Sequence, residues 1–172
     1  MRWILWVCLA ALVVAMQTTL APQVQIGGVR PDWPFLLVVA ISLTARANHA
    51  LYVSAMVGFF VDLNTIIPLG VFTFCYGSVS LLIVRVRELL FRDALLTYVL
   101  VTLFAGLLTQ SIIALLRIVQ EGAGQYEGIV AVEALGAAVY TALWSFPAHW
   151  LYLRVGRLLG LTRLRRVRLG TL

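Results

Sequence analysis

Two aspartates in otherwise apolar sequence are the residues of this chain best placed to do chemistry. Asp62 stands four residues after Gly58 at the end of an apolar run, ahead of Pro68 and Gly70. A charged side chain within an apolar, membrane-spanning segment costs free energy, so such residues are candidates for a function. We consider a ligand or proton-relay role for Asp62, and a helix-end role in which it accepts backbone N–H groups of the turn over residues 62–68. We favour the helix-end role.

The second aspartate, Asp32, lies in a loop between Pro31 and Trp33-Pro34. Pro34 suits the first turn of a helix, where its missing N–H costs nothing. An aspartate just before that turn can accept hydrogen bonds from the free N–H groups of the helix. We therefore expect Asp32 to cap a helix rather than to bind a ligand. Glu133 is a further acid within an apolar segment, and we expect it to be interfacial.

The remaining polar residues form no catalytic set. His49 and His149 match no metal-binding motif, and no serine stands in an arguable Ser-His-Asp spacing. The sequence contains no glycine loop of the kind that binds phosphate. Cys8 and Cys75 each lie within an apolar run, where a free cysteine behaves as a small hydrophobe. The sequence predicts a protein that is not an enzyme and that carries no cofactor or metal.

The composition predicts an integral membrane protein. The 172 residues are 62% hydrophobic and 12% charged, with a mean hydropathy of +0.99. Soluble domains average about 45–50% apolar and about 25% charged residues. The basic residues are all arginine and lie between apolar segments or at the C-terminus. That placement argues against nucleic acid as a partner, because no folded basic face is available.

The apolar runs predict an all-α, polytopic bundle of six transmembrane helices over residues 1–153. Two runs are shorter than the roughly 20 residues of a typical span, and they fit half-span or re-entrant helices as well as full spans. Residues 154–172 form a basic cytoplasmic tail, which we interpret as a topology anchor rather than a docking segment. The six predicted spans are 3–21, 33–45, 50–63, 69–84, 94–118 and 128–153.

The distribution of arginine predicts the topology. With six spans and a cytoplasmic N-terminus, eleven arginines face the cytoplasm and two, Arg30 and Arg117, face outward. This asymmetry agrees with the positive-inside rule and places both termini in the cytoplasm. It also places Asp62 near the outer end of the third segment, where we expect access to water.

Four short motifs stand in order along the chain: Arg30-Pro31-Asp32, Gly58-Phe59-Phe60-Val61-Asp62, Pro68-Leu69-Gly70, and Gly77 ahead of a helix that ends at Arg85 to Arg87. Together they resemble the MreD family of bacterial rod shape-determining proteins. The chain length and the six-span hydropathy also match that family, so the resemblance covers most of the chain. The family often has a glutamine or a second glycine close to the aspartate, where this chain has Val61 and Leu63.

The resemblance implies a non-enzymatic, multi-pass subunit of the cell-elongation complex in the bacterial cytoplasmic (inner) membrane. Such a subunit binds the single-span protein MreC and assembles with the SEDS glycosyltransferase RodA and a class B penicillin-binding protein. Together they support peptidoglycan synthesis and rod shape. The matching residues, with partner or ligand contact as the implied role, are Pro31, Asp32, Gly58, Asp62, Pro68 and Gly70.

The family also resembles, in fold, the S components of energy-coupling-factor vitamin transporters. The alternative function is therefore a small-molecule-binding membrane protein. Such a protein needs a polar pocket, and this sequence offers few groups to line one. Self-association through small-residue stripes on the first and last segments is left open. The candidate pocket residues are Asn64, Thr73, Tyr76 and Gln110.

Overall fold

The protein is all-helical over the part of the chain that is described. A computed structural model describes residues 2–25, 29–66, 68–87, 95–121 and 127–158, and within them there are six α-helices and no β-strand. Each α-helix overlaps one of the six predicted apolar segments. The elements are α1 (Arg2–Thr19), a 3-10 helix (Ala21–Val24), α2 (Trp33–Thr44), α3 (Ala47–Asp62), α4 (Val71–Val86), α5 (Leu95–Glu121) and α6 (Glu127–Leu158).

The short helix α2 is the centre of the bundle and contacts each of the other five α-helices. Nine of its 12 residues are buried, from Pro34 to Ser42. A helix that is apolar on all sides has to be covered on all sides, which explains its central place. At 1.5 Å per residue it is about 18 Å long, well short of the roughly 30 Å hydrocarbon core of a bilayer.

The other helices form two closely packed pairs around α2. One pair is the antiparallel hairpin of α3 and α4, and the other is the pair of α5 and α6. In the sequence, Thr102, Gly106 and Gln110 recur at every fourth position and predict a stripe of small and polar residues on α5 that contacts another helix. The structure shows such a contact at Gly106. A Cβ added to Gly106 would lie 3.7 Å from the Cβ of Ala138 on α6 and 3.6 Å from the ring of Phe35 on α2.

The helices differ in their capacity to cross a membrane. Over Thr97–Leu116, α5 is long and apolar enough to do so by length and composition, and it is the one such helix among the described residues. Shorter apolar helices cover Trp6–Thr19, Trp33–Thr44 and Val71–Val86. The α6 helix continues to Leu158, past the predicted end at residue 153, so the start of the predicted tail is helical. Residues 159–172 lie outside the described part of the chain.

Candidate functional site

Asp62 lies at the last turn of α3 and binds the first turn of α4. Its Oδ1 accepts a hydrogen bond from the N–H of Phe72 at 2.9 Å. Its Oδ2 accepts from the N–H of Thr73 at 3.0 Å and from the Thr73 hydroxyl at 2.6 Å. The N–H groups of Phe72 and Thr73 are among the free N–H groups that open every α-helix, where a negative charge also complements the helix dipole.

Two expectations for Asp62 were wrong. The donors to its carboxylate lie ten and eleven residues further along the chain, rather than in the turn over residues 62–68. The side chain is also only 1% exposed, so it has no access to water at the helix end. The donors and the burial of Asp62 have the same cause. After α3 the chain folds back, and the N-terminus of α4 covers the carboxylate.

Gly70 and Gly58 make this return of the chain sterically possible. Gly70, the residue before α4, has a φ of 101°, which a residue with a side chain rarely adopts. A Cβ on Gly58 would lie 2.6 Å from the carbonyl oxygen of Phe72 and 2.6 Å from the Cα of Thr73. The backbones of α3 and α4 therefore meet at Gly58, one helical turn before Asp62. Pro68 is exposed, and its carbonyl accepts from the N–H of Val71 at 3.4 Å.

Asp32 caps α2, as the sequence predicts. Its Oδ1 accepts a hydrogen bond from the N–H of Phe35 at 3.0 Å. The hydroxyl of Tyr76 on α4 lies 3.0 and 2.8 Å from its two carboxylate oxygens. Burial raises the pKa of Asp32, while the hydrogen bonds from Phe35 and Tyr76 act in the opposite direction. The carboxyl thus serves two helices at once, α2 by capping and α4 through Tyr76.

The residues beside Asp32 are fixed by α1 and α6. The side-chain amide of Gln17 on α1 donates to the carbonyl of Pro31 at 2.9 Å and accepts from the N–H of Trp33 at 3.1 Å. The hydroxyl of Thr141 on α6 accepts from the N–H of Asp32 at 3.1 Å. The position of Asp32 is therefore set by polar groups from three helices, α1, α4 and α6.

The opposite end of α2 is also satisfied by a charged side chain. The guanidinium of Arg87, which follows α4, donates to the carbonyls of Ser42 and Ala45. Ser42 lies in the last turn of α2 and Ala45 directly follows the helix, so both carbonyls are at its C-terminal end, where a cation is favourable. The hydroxyl of Ser42 also lies 2.8 Å from that of Ser80 on α4. Polar contacts thus tie α4 to both ends of α2.

A narrow crevice beside Asp32 is a candidate binding site. It lies between α2, α5 and α6 and is too narrow to hold a water molecule. Its polar lining groups include Asp32, Thr109, Gln110 and Thr141. Of the predicted pocket residues, Gln110 lines the crevice, whereas Thr73 and Tyr76 are hydrogen-bonded to Asp62 and Asp32. Asn64 donates to the carbonyl of Phe60 at 2.8 Å.

Other candidate residues contribute less to this site. Across the described residues, no three His, Cys, Asp or Glu side chains lie close enough to hold a metal ion. The side chains of Glu133 and His149 lie outside the described part of the chain. Cys8 is exposed and Cys75 is buried, and both are free thiols. The two predicted aspartates are thus the centres of two separate groups of residues. Asp62 is hydrogen-bonded to the first turn of α4, and Asp32 is hydrogen-bonded to its second turn.

Sequence reasoning missed four contributors to this arrangement. Gln17 is a polar residue inside an apolar helix, and that position could have singled it out. Thr73 and Tyr76 were assigned to a pocket lining, and their bonds to aspartates far along the chain carry no local signal. Arg87 was interpreted through topology alone, although basic residues often satisfy the last carbonyls of helices.

Over the described residues, the fold and site define an all-helical protein with one helix apolar enough to cross a membrane, in which two aspartates join the ends of neighbouring helices. Comparison with protein families identifies it further: the family of the rod shape-determining protein MreD matches residues 1–146. The chain belongs to the MreD family, as its motifs led us to expect. Comparison with curated proteins and with solved structures finds no match.

Proposed function

We propose that the protein is a non-enzymatic scaffold subunit of the bacterial cell-elongation complex. In this proposal it lies in the cytoplasmic membrane as six spans with both termini inside. It binds an MreC-like single-span protein and assembles with a SEDS glycosyltransferase of the RodA type and a class B penicillin-binding protein. Its role is to support peptidoglycan synthesis in the side wall and thereby to maintain rod shape.

The observation that carries the proposal is the family match over residues 1–146, which covers all the motifs. The hydrogen bonds of the two aspartates support a structural role for these residues, as expected in a scaffold protein. Asp32 and Asp62 accept from backbone N–H groups at the starts of α2 and α4 and from Tyr76 and Thr73. Carboxylates used in this way hold helices in register.

Depletion of the protein in its own bacterium tests this function. We expect rod cells to become round, and we expect an MreC-like single-span protein to co-purify with the detergent-extracted chain. The control is the same strain with the wild-type gene supplied from a plasmid, which should remain rod-shaped. Rods that persist after clean deletion of the gene and of any second copy would contradict the proposal.

The crevice beside Asp32 favours a second candidate function, the binding of a small molecule. Its lining combines a carboxylate with the Gln110 amide and the Thr109 and Thr141 hydroxyls, which could orient a polar ligand. The crevice would have to widen, because it has no room for water as it stands. Mass spectrometry of protein extracted in mild detergent tests this candidate. A small molecule retained by the wild-type protein and lost in Gln110→Leu would support it, and its consistent absence would count against it.

A further inference from the structure

The α3–α4 hairpin presents an apolar face that ends in polar residues on both sides. The exposed apolar side chains of this face are Tyr52 and Phe59 on α3 and Phe74, Leu81 and Leu82 on α4. At the open end of the hairpin, away from the turn, Arg46, Asn48 and Arg85 are exposed, and at the turn Asn64 is exposed. Residues 63–66 and 68–70 of the turn are irregular backbone, which a bilayer tolerates only in contact with water or inside protein. Both ends of the face therefore belong at the level of the hydrated headgroups.

This apolar face is shorter than the hydrocarbon core of an ordinary bilayer. The helices α3 and α4 have 16 residues each. At about 1.5 Å per residue each helix is about 24 Å long, whereas the hydrocarbon core is roughly 30 Å thick. A tilt of the hairpin would only shorten its extent across the membrane. Long side chains do not remove the difference either, because Asn48 is short and the guanidinium of Arg87 is directed at carbonyls near the end of α2.

The pair of α5 and α6 presents a longer apolar face. The apolar part of α5, Thr97–Leu116, has 20 residues and is therefore about 30 Å long. On α6, exposed apolar side chains extend from Val132 to Leu151, which corresponds to about 28 Å. Both lengths agree with the ordinary hydrocarbon thickness of a bilayer. The two helix pairs of one protein thus match bilayers of different thickness.

We propose that the α3–α4 face gathers phospholipids with short acyl chains, so that the bilayer beside it is about 6 Å thinner than beside α5 and α6. The free-energy cost of a mismatch between apolar length and hydrocarbon thickness rises with each ångström, and shorter chains reduce that cost at this face. The charges at its open end also fit lipid, because Arg46 and Arg85 are exposed where headgroup phosphates lie. This inference rests on the proposed insertion of the helices as membrane spans.

A fluorescent reporter on each face tests which lipids surround it. The Cys8→Ala protein, in which Cys75 stays buried, receives a single new cysteine at Ser78 or at Leu108. Both positions are exposed, Ser78 at the middle of α4 and Leu108 at the middle of α5, so Leu108 is the matched control. Each variant is labelled with bimane and reconstituted in mixed vesicles of dimyristoleoyl and dierucoyl phosphatidylcholine. One of the two lipids carries brominated chains, which quench bimane on contact, and exchanging the brominated lipid gives the ratio of short to long chains beside each label.

We expect the ratio of short to long chains at Ser78 to exceed that at Leu108 by roughly twofold or more, because only the α3–α4 face has a short apolar length. Equal ratios at two quenched labels would overturn the inference and leave the proposed function standing. A label at Ser78 that neither lipid quenches, with Leu108 quenched, would mean that protein covers the face, which also overturns the inference. If neither label is quenched, the helices do not lie in the bilayer, and the proposed function fails as well.

Discussion

The hydroxyl of Tyr76 lies 3.0 and 2.8 Å from the two carboxylate oxygens of Asp32, two residues that are 44 positions apart in the chain. This pair joins the second turn of α4 to the N-terminus of α2, the central helix of the bundle. Asp62 joins the first turn of α4 to the end of α3. The helix α4 is therefore held by two carboxylates through its first two turns, and the predictions below follow from that arrangement.

Tyr76→Phe should lower the free energy of unfolding by about 1.5–3 kcal/mol, the usual contribution of a hydrogen bond to a charged group. The ring is buried and stays in place, so the hydroxyl is the main loss. Thermal unfolding in detergent measures the change. A double-mutant cycle with Asp32→Asn should give a coupling energy within the 0.5–3 kcal/mol range of contacting residues. Strictly additive effects would show that the two side chains do not interact.

Gly58→Ala should destabilise the protein by about 1–3 kcal/mol, because the new methyl group overpacks a close helix contact. The clash is with the backbone of Phe72 and Thr73, which cannot rotate away. Gly77→Ala is the matched control on α4, since no atom lies within 4 Å of the added Cβ. That substitution should be neutral or stabilising by up to about 1 kcal/mol through helix propensity. Equal stability of the two variants would contradict the close contact of α3 and α4.

Gly70→Ala should cost about 1–2 kcal/mol, because the residue has a left-handed φ of 101°. Nothing lies within 4 Å of an added Cβ, so the cost comes from backbone strain alone. Gly70→Asn should cost less, since asparagine tolerates this region better. The unfolding temperatures of the two variants in the same detergent provide the comparison. An alanine variant as stable as the wild-type protein would exclude a strained turn before α4.

The features that could be predicted from the sequence are local ones. The cap at Asp32 depends on residues 32–35, and the Asp-Trp-Pro order is enough to indicate it. The six helices follow from apolar runs bounded by proline, glycine and arginine. The i+4 spacing of Thr102, Gly106 and Gln110 predicts a helix contact, and Gly106 does face Ala138.

The features that could not be predicted are contacts between distant residues. The partners of Asp62 lie beyond a turn, so a local interpretation assigned it to the wrong N–H groups. The role of α2 was also missed, because a run of apolar residues indicates burial or lipid contact equally well. Only the contacts of α2 with all other helices distinguish a central helix from a half-span at the edge.

Substitution of Asp62 by asparagine tests the central claim most directly, namely that this buried carboxylate is architectural. Asp62→Asn keeps the shape of the side chain but places an amide donor among the donors of Phe72 and Thr73. We expect a loss of about 2 kcal/mol in the free energy of unfolding, from one charge-assisted hydrogen bond and an unsatisfied donor. In cells with this variant as the only copy, rod shape should fail in proportion to the loss of folded protein from the membrane. Round cells that contain a normal amount of an equally stable variant would contradict the account.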